Sequence, residues 1–299
     1  MADLTTLGGA MTALITPFSN GEVDHSALAA LVERQISGGI DGLVPCGTTG
    51  ESATMSERER LAVIETVVHA AEGRVPIIAG TASNDTQKSI DFTRKVAEIE
   101  GVDAALVVCP YYNKPNQPML VEHFTRIADE GGLPVVLYNV PGRTVISMTP
   151  QTVATLARHE QVVAIKEATG DMNFDTRVIE ALGDTPLRLL SGDDFTTMPF
   201  VAMGGHGCIS VLSNLLPGVM SELVRATAAM ELDLARSIHV RIQRITRLLF
   251  ENPNPVPTKE IAERLGWCTA QVRGPLCNSD AAFLDKIDAI IADYPELIA

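Results

Sequence analysis

Short apolar runs recur eight times before residue 213 of this chain, and longer amphipathic stretches separate them. The runs are rich in Val, Ile and Leu and nearly continuous, which is typical of parallel strands covered on both faces. Eight strand–helix units in this order favour an α/β fold of the closed (β/α)8 type, a TIM barrel. A doubly wound nucleotide-binding sheet is disfavoured because no GxGxxG pattern follows the first strand. The predicted strands span residues 11–16, 42–46, 75–79, 104–109, 134–139, 162–167, 187–191 and 207–212.

Helix-start signals lie between these runs. Residues 56–59 and 84–87 both resemble capping boxes, and Thr149 precedes a proline that suits the first helical position. After residue 213 the strand pattern stops, and we expect the barrel to occupy residues 1–230 and a C-terminal helical region to occupy residues 231–299. Helices are predicted over residues 217–230, 232–250, 257–265 and 280–292.

Composition and charge exclude several classes of partner. The chain has 46% hydrophobic residues and a net charge of −14, so a nucleic-acid or anionic-membrane surface is not expected. No apolar run approaches the roughly 20 residues of a membrane span, and no basic segment precedes an apolar one as in a secretory signal. The five cysteines show no CxxC spacing, which favours reduced, mostly buried thiols and a cytoplasmic protein.

Lys166 is the residue whose position calls for a functional explanation. It follows the apolar run at residues 162–165, which carries it to the C-terminal rim of the barrel, where such barrels keep their chemistry. The other five lysines lie in polar contexts, where we expect solvated ammonium groups. Desolvation at the rim penalises the charged form, and a neutral amine can attack a ketone. The sequence leaves two alternatives open, a Schiff-base lysine and a buried ion pair with Glu167 or another carboxylate.

Other strand ends carry groups suited to acid–base and anion chemistry. Residues 47–52 (Gly-Thr-Thr-Gly-Glu-Ser) follow the second strand, and their glycines allow a tight turn in which N–H and hydroxyl groups converge. Three of the four tyrosines, Tyr111, Tyr112 and Tyr138, fall at strand ends of the same rim. Phenols can both donate and accept a proton. Each motif alone also fits ordinary turn or packing roles.

Taken together, these motifs resemble the dihydrodipicolinate synthase family of pyruvate-dependent Schiff-base aldolases, related to N-acetylneuraminate lyase. The resemblance covers nearly the whole chain. It rests on the motifs at residues 47–52, 110–113, 138–143, 165–170, 191–194, 204–207 and 252–255. It implies a lyase without metal or cofactor that condenses pyruvate with L-aspartate 4-semialdehyde in the diaminopimelate route to lysine. It also implies a homotetramer arranged as a dimer of dimers.

The resemblance assigns roles to individual residues. Lys166 forms the imine with pyruvate, and Tyr138 acts as the general acid/base. Thr48 links Tyr138 to Tyr112 of a neighbouring subunit in a proton relay. The resemblance implies that Thr48 and Thr49 bind the pyruvate carboxylate and that the Ile209 carbonyl faces the pyruvate. It also implies that Arg143 binds the carboxylate of the aldehyde, for which its guanidinium presents a planar fork.

Three competing hypotheses remain at this level. N-acetylneuraminate lyases and keto-deoxy-sugar-acid aldolases use the same lysine with a different second substrate. A metal-dependent aldolase would need histidine ligands, but the six histidines show no HxH or HExxH spacing, and His206 is expected to be structural. A barrel that only binds pyruvate or lysine would retain the fold without turnover.

The resemblance also implies an inhibitory lysine site at a subunit interface. Ser52, Ala53, Asn84 and Tyr111 match it. Departures occur where some bacterial members carry histidines and a glutamate, at the positions occupied here by Glu57, Arg60 and Lys88. Because Lys88 would face the ammonium of the ligand, we expect weak or absent inhibition by lysine.

Overall fold

The computed structural model describes residues 3–297, and the ends of the two predicted regions, residues 1–2 and 298–299, lie outside it. Within residues 3–297, eight parallel strands build one barrel sheet, and a short hairpin (Phe18–Ser19 and Glu22–Val23) precedes the first helix. The barrel strands are β1 (Gly9–Ala13), β2 (Gly42–Val44), β3 (Ile78–Gly80), β4 (Ala104–Val108), β5 (Val135–Asn139), β6 (Val162–Glu167), β7 (Arg188–Ser191) and β8 (Gly207–Ser210).

The sheet closes on itself, which confirms the predicted barrel. Hydrogen-bonded neighbours run in the order β2-β1-β8-β7-β6-β5-β4-β3. A parallel bridge between Leu43 and Ile77 joins the two ends of this order. At the same seam, Gly80 N donates to Pro45 O at 2.9 Å, and a Cβ at Gly80 would lie 2.1 Å from Cys46 O. Closure therefore requires glycine at this position.

Most strands differ from the prediction by one or more residues at an end, and two of these differences have a clear physical cause. β1 ends at Ala13 rather than residue 16 because a side chain replaces the neighbouring strand. Asn214 Oδ1 accepts from Ile15 N at 3.0 Å, and Asn214 Nδ2 donates to Ala13 O at 2.8 Å. β3 begins at Ile78 rather than residue 75, since Pro76 has no N–H with which to extend the ladder.

Helices cover the outside of the barrel. The capping box at Ser56 and the cap at Thr149 are confirmed. The second predicted box is wrong by one residue, because Asp85 caps that helix by accepting from Lys88 N, while Asn84 Nδ2 donates to Tyr111 O at 3.2 Å. The helices up to residue 228 are α1 (His25–Ser37), α2 (Glu57–Ala71), α3 (Thr86–Ala97), α4 (Gln117–Glu130), α5 (Pro141–Thr144), α6 (Pro150–Leu156), α7 (Met172–Leu182), α8 (Thr197–Ala202) and α9 (Pro217–Ala228).

The remaining helices are α10 (Leu232–Glu251), α11 (Val256–Arg264) and α12 (Ala281–Asp293). Ile242, Ile245 and Leu249 of α10 belong to the same buried cluster as Leu223 of α9, so the C-terminal helices share the outer core of the barrel. A second cluster, including Met11, Val136 and Ile209, fills the barrel interior. No helix among the described residues combines the length and the apolar composition that crossing a bilayer requires.

Candidate active site

Lys166 lies inside the barrel near its C-terminal rim. Its side chain is only 5% exposed, and its Nζ lies 4.5 Å from the centroid of the Tyr138 ring. Tyr138 is the residue opposite Lys166 in the β5–β6 ladder. Within residues 3–297, Lys166 forms no ion pair with a carboxylate. The amine is therefore desolvated and lies beside a phenol.

Glu167 is not the partner of this amine. Its carboxylate accepts from Asn139 Nδ2 at 2.8 Å and from Thr169 N at 2.5 Å. Burial raises the pKa of Glu167 above its ordinary value, although these hydrogen bonds oppose that change. Successive residues of a strand point to opposite faces, so the two side chains are separated by the sheet. Glu167 is thus hydrogen-bonded on the outer face of the sheet and does not pair with Lys166.

Gly192 makes room for the lysine, and the sequence reasoning did not identify it individually. A Cβ at position 192 would lie 2.9 Å from both Cε and Cγ of Lys166. Gly192 N donates to Glu167 O at 2.6 Å, which holds the backbone of the β7 loop against β6. The motif at residues 191–194 contained the signal, but only the packing reveals why a side chain is excluded there.

The turn after β2 carries the two threonines. Glu51 N donates to Thr48 O at 3.0 Å, and Glu51 adopts a left-handed backbone conformation with φ 54°. Thr48 is half-buried, whereas Thr49 is buried and its Oγ1 accepts from Asn254 Nδ2 at 2.9 Å. Because parallel strands end at one edge of the barrel, this turn, Tyr138 and Lys166 belong to the same rim.

Ile209 and Arg143 lie on different parts of this rim. Ile209 is buried in β8 and is part of the interior cluster that contains Tyr138. Arg143 lies in the short helix α5 that follows β5, and it is exposed. Within the described residues its guanidinium has no carboxylate partner. It is therefore available to an anionic ligand.

Tyr111 and Tyr112 follow β4 and point outward. Tyr112 is 89% exposed and has a left-handed backbone with φ 74°, a conformation that few residues other than glycine adopt. Asn113 Nδ2 donates to Asn84 O at 2.7 Å, which ties this loop to the start of α3. One chain by itself thus does not bring Tyr112 to Lys166.

The residues predicted for a lysine site lie around α2 and α3. Ser52 and Ala53 belong to a single turn (Ser52–Thr54) before α2. Glu57 is paired with Lys95, with Nζ 2.5 Å from Oε1, and Lys88 is exposed. Arg60 is not an ordinary solvated residue. Its guanidinium stacks 3.8 Å from the centroid of Phe92 and donates to Gly80 O at 2.9 Å.

One prediction about the lysines is wrong. Lys259 is not solvated but completely buried, and its Nζ lies 2.5 Å from Glu51 Oε1. The helical periodicity of residues 257–265 did not reveal this because the partner lies more than 200 residues earlier in the chain. Together with Gly192, the residues Glu51, Asn254 and Lys259 belong to this site although the sequence does not single them out.

One histidine and three cysteines that could be reactive are instead hydrogen-bonded or buried in the fold. His206 Nδ1 accepts from Leu189 N at 2.9 Å, which confirms the expected structural role. Cys46, Cys109 and Cys208 are buried and free, and burial raises the pKa of the Cys46 and Cys109 thiols to about 12. Such thiols stay protonated and are poor nucleophiles. Among residues 3–297, no group of three or more His, Cys, Asp or Glu side chains is placed to hold a metal ion.

Comparison with known proteins places this chain in a family. The family model "Dihydrodipicolinate synthetase family" matches residues 6–293. A 4-hydroxy-tetrahydrodipicolinate synthase of Geobacter metallireducens is 46% identical over 97% of this chain and 99% of its own length. The dihydrodipicolinate synthase structure from Aquifex aeolicus superimposes with a TM-score of 0.94 at 40% identity and covers 97% of this chain and 98% of its own. A monomeric dihydrodipicolinate synthase variant reaches a TM-score of 0.95 at 32% identity, with 98% of each chain covered. This chain therefore belongs to the dihydrodipicolinate synthetase family.

Proposed function

We propose that this chain catalyses the reaction of 4-hydroxy-tetrahydrodipicolinate synthases, the condensation of pyruvate with L-aspartate 4-semialdehyde in the diaminopimelate route to lysine. The observation that carries the proposal is the buried Lys166 amine, which has no carboxylate partner among the described residues and lies 4.5 Å from the Tyr138 ring. The uncharged form of an amine is the nucleophile that attacks a ketone.

The chemistry follows from that amine. The Nζ lone pair attacks the keto carbon of pyruvate, and the keto oxygen leaves as water to give a protonated imine. The imine withdraws electrons, so a methyl proton leaves and an enamine forms. The enamine carbon attacks the aldehyde carbon, whose oxygen takes up a proton. The amino group of the aldehyde substrate then attacks the imine carbon, the C–N bond to Lys166 breaks, and the free lysine amine leaves as the ring closes. Tyr138 is the group we assign to these proton transfers, because a phenol both donates and accepts.

The remaining roles concern substrate carboxylates and the relay. Thr48 and Thr49 bind the pyruvate carboxylate, and the Ile209 carbonyl faces the same substrate. Arg143 binds the carboxylate of the aldehyde, in agreement with its exposed and unpaired guanidinium within the described chain. Tyr112 joins the relay from a neighbouring subunit through Thr48, which agrees with its 89% exposure in a single chain.

The proposal extends to the setting of the reaction. No metal or cofactor takes part, so turnover should survive a strong chelator. The active form is a cytoplasmic homotetramer built as a dimer of dimers. Residues 1–230 provide the catalytic barrel, and residues 231–299 form the helical region that supports it.

Reductive trapping tests the proposed reaction directly. Borohydride added in the presence of pyruvate should attach a pyruvate-derived group to Lys166, which peptide mass mapping locates. Lys166→Ala should abolish both trapping and turnover. The exposed Lys114 provides the control, since Lys114→Ala should change neither. An unmodified Lys166, or faster turnover with sialic acid than with aspartate semialdehyde, would refute the assignment.

We infer further that lysine inhibits this enzyme weakly or not at all. Lys88 is exposed four residues after Asn84, and Arg60 is held by Phe92 and Gly80. Both positions carry a cation, so neither supplies a carboxylate for the ligand's ammonium group. Lys88→Glu should increase sensitivity to lysine, because it replaces repulsion by attraction. Arg158→Glu serves as the charge-matched control, since Arg158 is exposed and precedes β6 rather than lying in the Tyr111 loop. Strong inhibition of the unmodified enzyme at sub-millimolar lysine would contradict this inference.

A further inference from the structure

The buried ammonium of Lys259 is held by the turn that carries the two threonines. It is 0% exposed in α11, with Nζ 2.5 Å from Glu51 Oε1 and 2.8 Å from Gln271 O. The ring centroid of Phe18 lies 4.1 Å from the same nitrogen. A fully desolvated ammonium persists only when its partners are arranged around it. Any movement of Glu51 therefore breaks the main compensation for this charge.

Glu51 is in turn a fixed point of the loop at residues 47–52. Its second carboxylate oxygen accepts from Arg273 N at 3.0 Å. Its backbone is left-handed, with φ 54° and ψ 34°, a conformation that persists where surrounding contacts impose it. Thr49 lies two residues earlier in the chain, and Glu51 N closes the turn on Thr48 O at 3.0 Å. Fixing Glu51 thus fixes the backbone of both threonines.

A second contact reaches Thr49 itself. Asn254, which is 7% exposed, donates from Nδ2 to Thr49 Oγ1 at 2.9 Å. Because the hydroxyl oxygen accepts this bond, the hydroxyl hydrogen of Thr49 remains free to donate to a substrate carboxylate. Asn254 and Lys259 both come from the C-terminal region, 205 and 208 residues from their respective partners. We call these two residues the C-terminal clamp.

We propose that the C-terminal clamp positions the loop at residues 47–52 for binding of the pyruvate carboxylate. Asn254 and Lys259 are positioning residues, since they act through Thr49 and Glu51. The inference rests on the proposed function of the loop. It predicts weaker binding of pyruvate but not of the aldehyde, because Arg143, assigned to the second substrate, lies in α5 after β5 and not in the loop that the clamp holds.

If the buried ion pair of Glu51 and Lys259 serves stability alone, we expect a different response to substitution. Replacing both charges with neutral side chains commonly preserves or improves stability, whereas removing one leaves a buried unpaired charge. The experiment therefore compares Lys259→Met with the double variant Glu51→Gln/Lys259→Met. Lys259→Met should lower the melting temperature strongly, and the double variant should recover most of that loss. If the pair serves stability alone, pyruvate binding should recover as well.

The decisive readout is pyruvate concentration dependence in the full-length enzyme. For the double variant, we expect the pyruvate concentration that gives half-maximal borohydride trapping at Lys166 to rise about tenfold, as for the loss of one or two hydrogen bonds to the substrate. The KM for aspartate semialdehyde should stay within about twofold of the wild-type value, which is small compared with the change expected for pyruvate. Lys95→Met, which removes an exposed pair with Glu57, is the matched control and should leave both unchanged.

Asn254→Ala removes the contact to Thr49 without creating an unpaired charge, and it should raise the half-maximal pyruvate concentration in the same way. If the double variant does not fold, Asn254→Ala decides the question by itself. Either variant, if folded and trapping pyruvate at wild-type concentrations, would overturn the proposal. A wild-type enzyme that fails to trap pyruvate would refute the proposed function instead, so the two failures are distinguishable.

Discussion

At the scale of single residues, the position of Lys166 depends on a neighbour without a side chain, Gly192, and on a carboxylate, Glu167, that is bound elsewhere. An amine inside a barrel needs space for its aliphatic chain as well as an environment that tolerates the uncharged form. Gly192 supplies the space, because a Cβ there would lie 2.9 Å from two carbons of the lysine side chain. Glu167, bound to Asn139 and Thr169, leaves the amine without a counter-ion from the next residue.

Gly192→Ala should therefore displace Lys166 rather than unfold the barrel. The added methyl group would also lie 2.8 Å from the Ala168 Cβ, so it cannot avoid Lys166 by moving to that side. Displacing a nucleophile by about 1 Å can reduce the rate by roughly a hundredfold. We expect kcat to fall at least tenfold, on the order expected for such a displacement, while the circular dichroism spectrum is preserved. Wild-type kcat in this variant would contradict the packing argument.

Asp175 should make the stability of the protein depend on pH. Burial, followed by the charges of Glu167, Asp171 and Asp193, raises the pKa of Asp175 from 3.8 to about 7. The unfolded carboxyl group ionises at the lower pH, so the contribution of Asp175 to stability becomes less favourable as pH rises from 3.8 to about 7. Asn does not titrate. Asp175→Asn should therefore raise the melting temperature more at pH 8 than at pH 5, and an equal change at both would refute the shift.

At the scale of elements, local caps determine where the helices begin. Ser56 accepts from Glu59 N at 3.3 Å, and Glu59 Oε2 accepts from Ser56 N at 2.8 Å, so two free N–H groups of α2 are satisfied reciprocally. The same Glu59 binds Arg273 at 2.5 Å, which connects the start of α2 to the C-terminal region. The capping box thus stabilises the start of α2, the helix that follows the turn with Thr48 and Thr49.

Ser56→Ala should cost about 1 kcal/mol of unfolding free energy, the usual value for loss of an N-cap hydroxyl. Denaturant unfolding would measure the change. Ser37→Ala is a matched control, because Ser37 lies in the last turn of α1 and its hydroxyl contacts only the exposed Glu33. Equal effects of the two substitutions would show that the capping box contributes nothing beyond a serine hydroxyl.

At the scale of the whole molecule, the proposed site is incomplete in one chain. Tyr112 is 89% exposed in a strained loop, while Lys166 is buried in the barrel. A relay that includes both requires a second copy. Symmetric dimers place the same surface on both partners, so each chain would complete the site of the other.

Mixed variants test this arrangement. Tyr112→Phe and Lys166→Ala should each be nearly inactive alone. After unfolding and refolding together in equal amounts, hybrid dimers hold one intact site, and we expect about a quarter of wild-type activity from random pairing in a symmetric dimer. If Tyr112 served the site of its own chain, mixing would restore nothing. Refolding either variant alone is the control.

The amino-acid sequence alone was sufficient to predict the eight barrel strands and the helices after residue 213, but not the short helices α5 and α8 or the hairpin before α1. Strand and helix periods, the cap at Ser56 and the proline at position 150 are local signals, and the structure confirms them. The position of Lys166 at the end of β6 follows from the same local pattern. The cap at Asp85 was predicted one residue too early, because both Asn84 and Asp85 can cap and only the contact of Asn84 with the Tyr111 loop decides between them.

Tertiary structure alone decided which side chains meet. Lys259 was expected to be solvated, yet it is buried against a carboxylate 208 residues away. Asn254 reaches Thr49 across 205 residues, and the need for glycine at position 192 appears only when β6 and β7 lie side by side. Hydrophobic periodicity reports which face of an element is buried. The partner that a buried polar atom meets depends on how distant elements pack, and no local pattern contains that information.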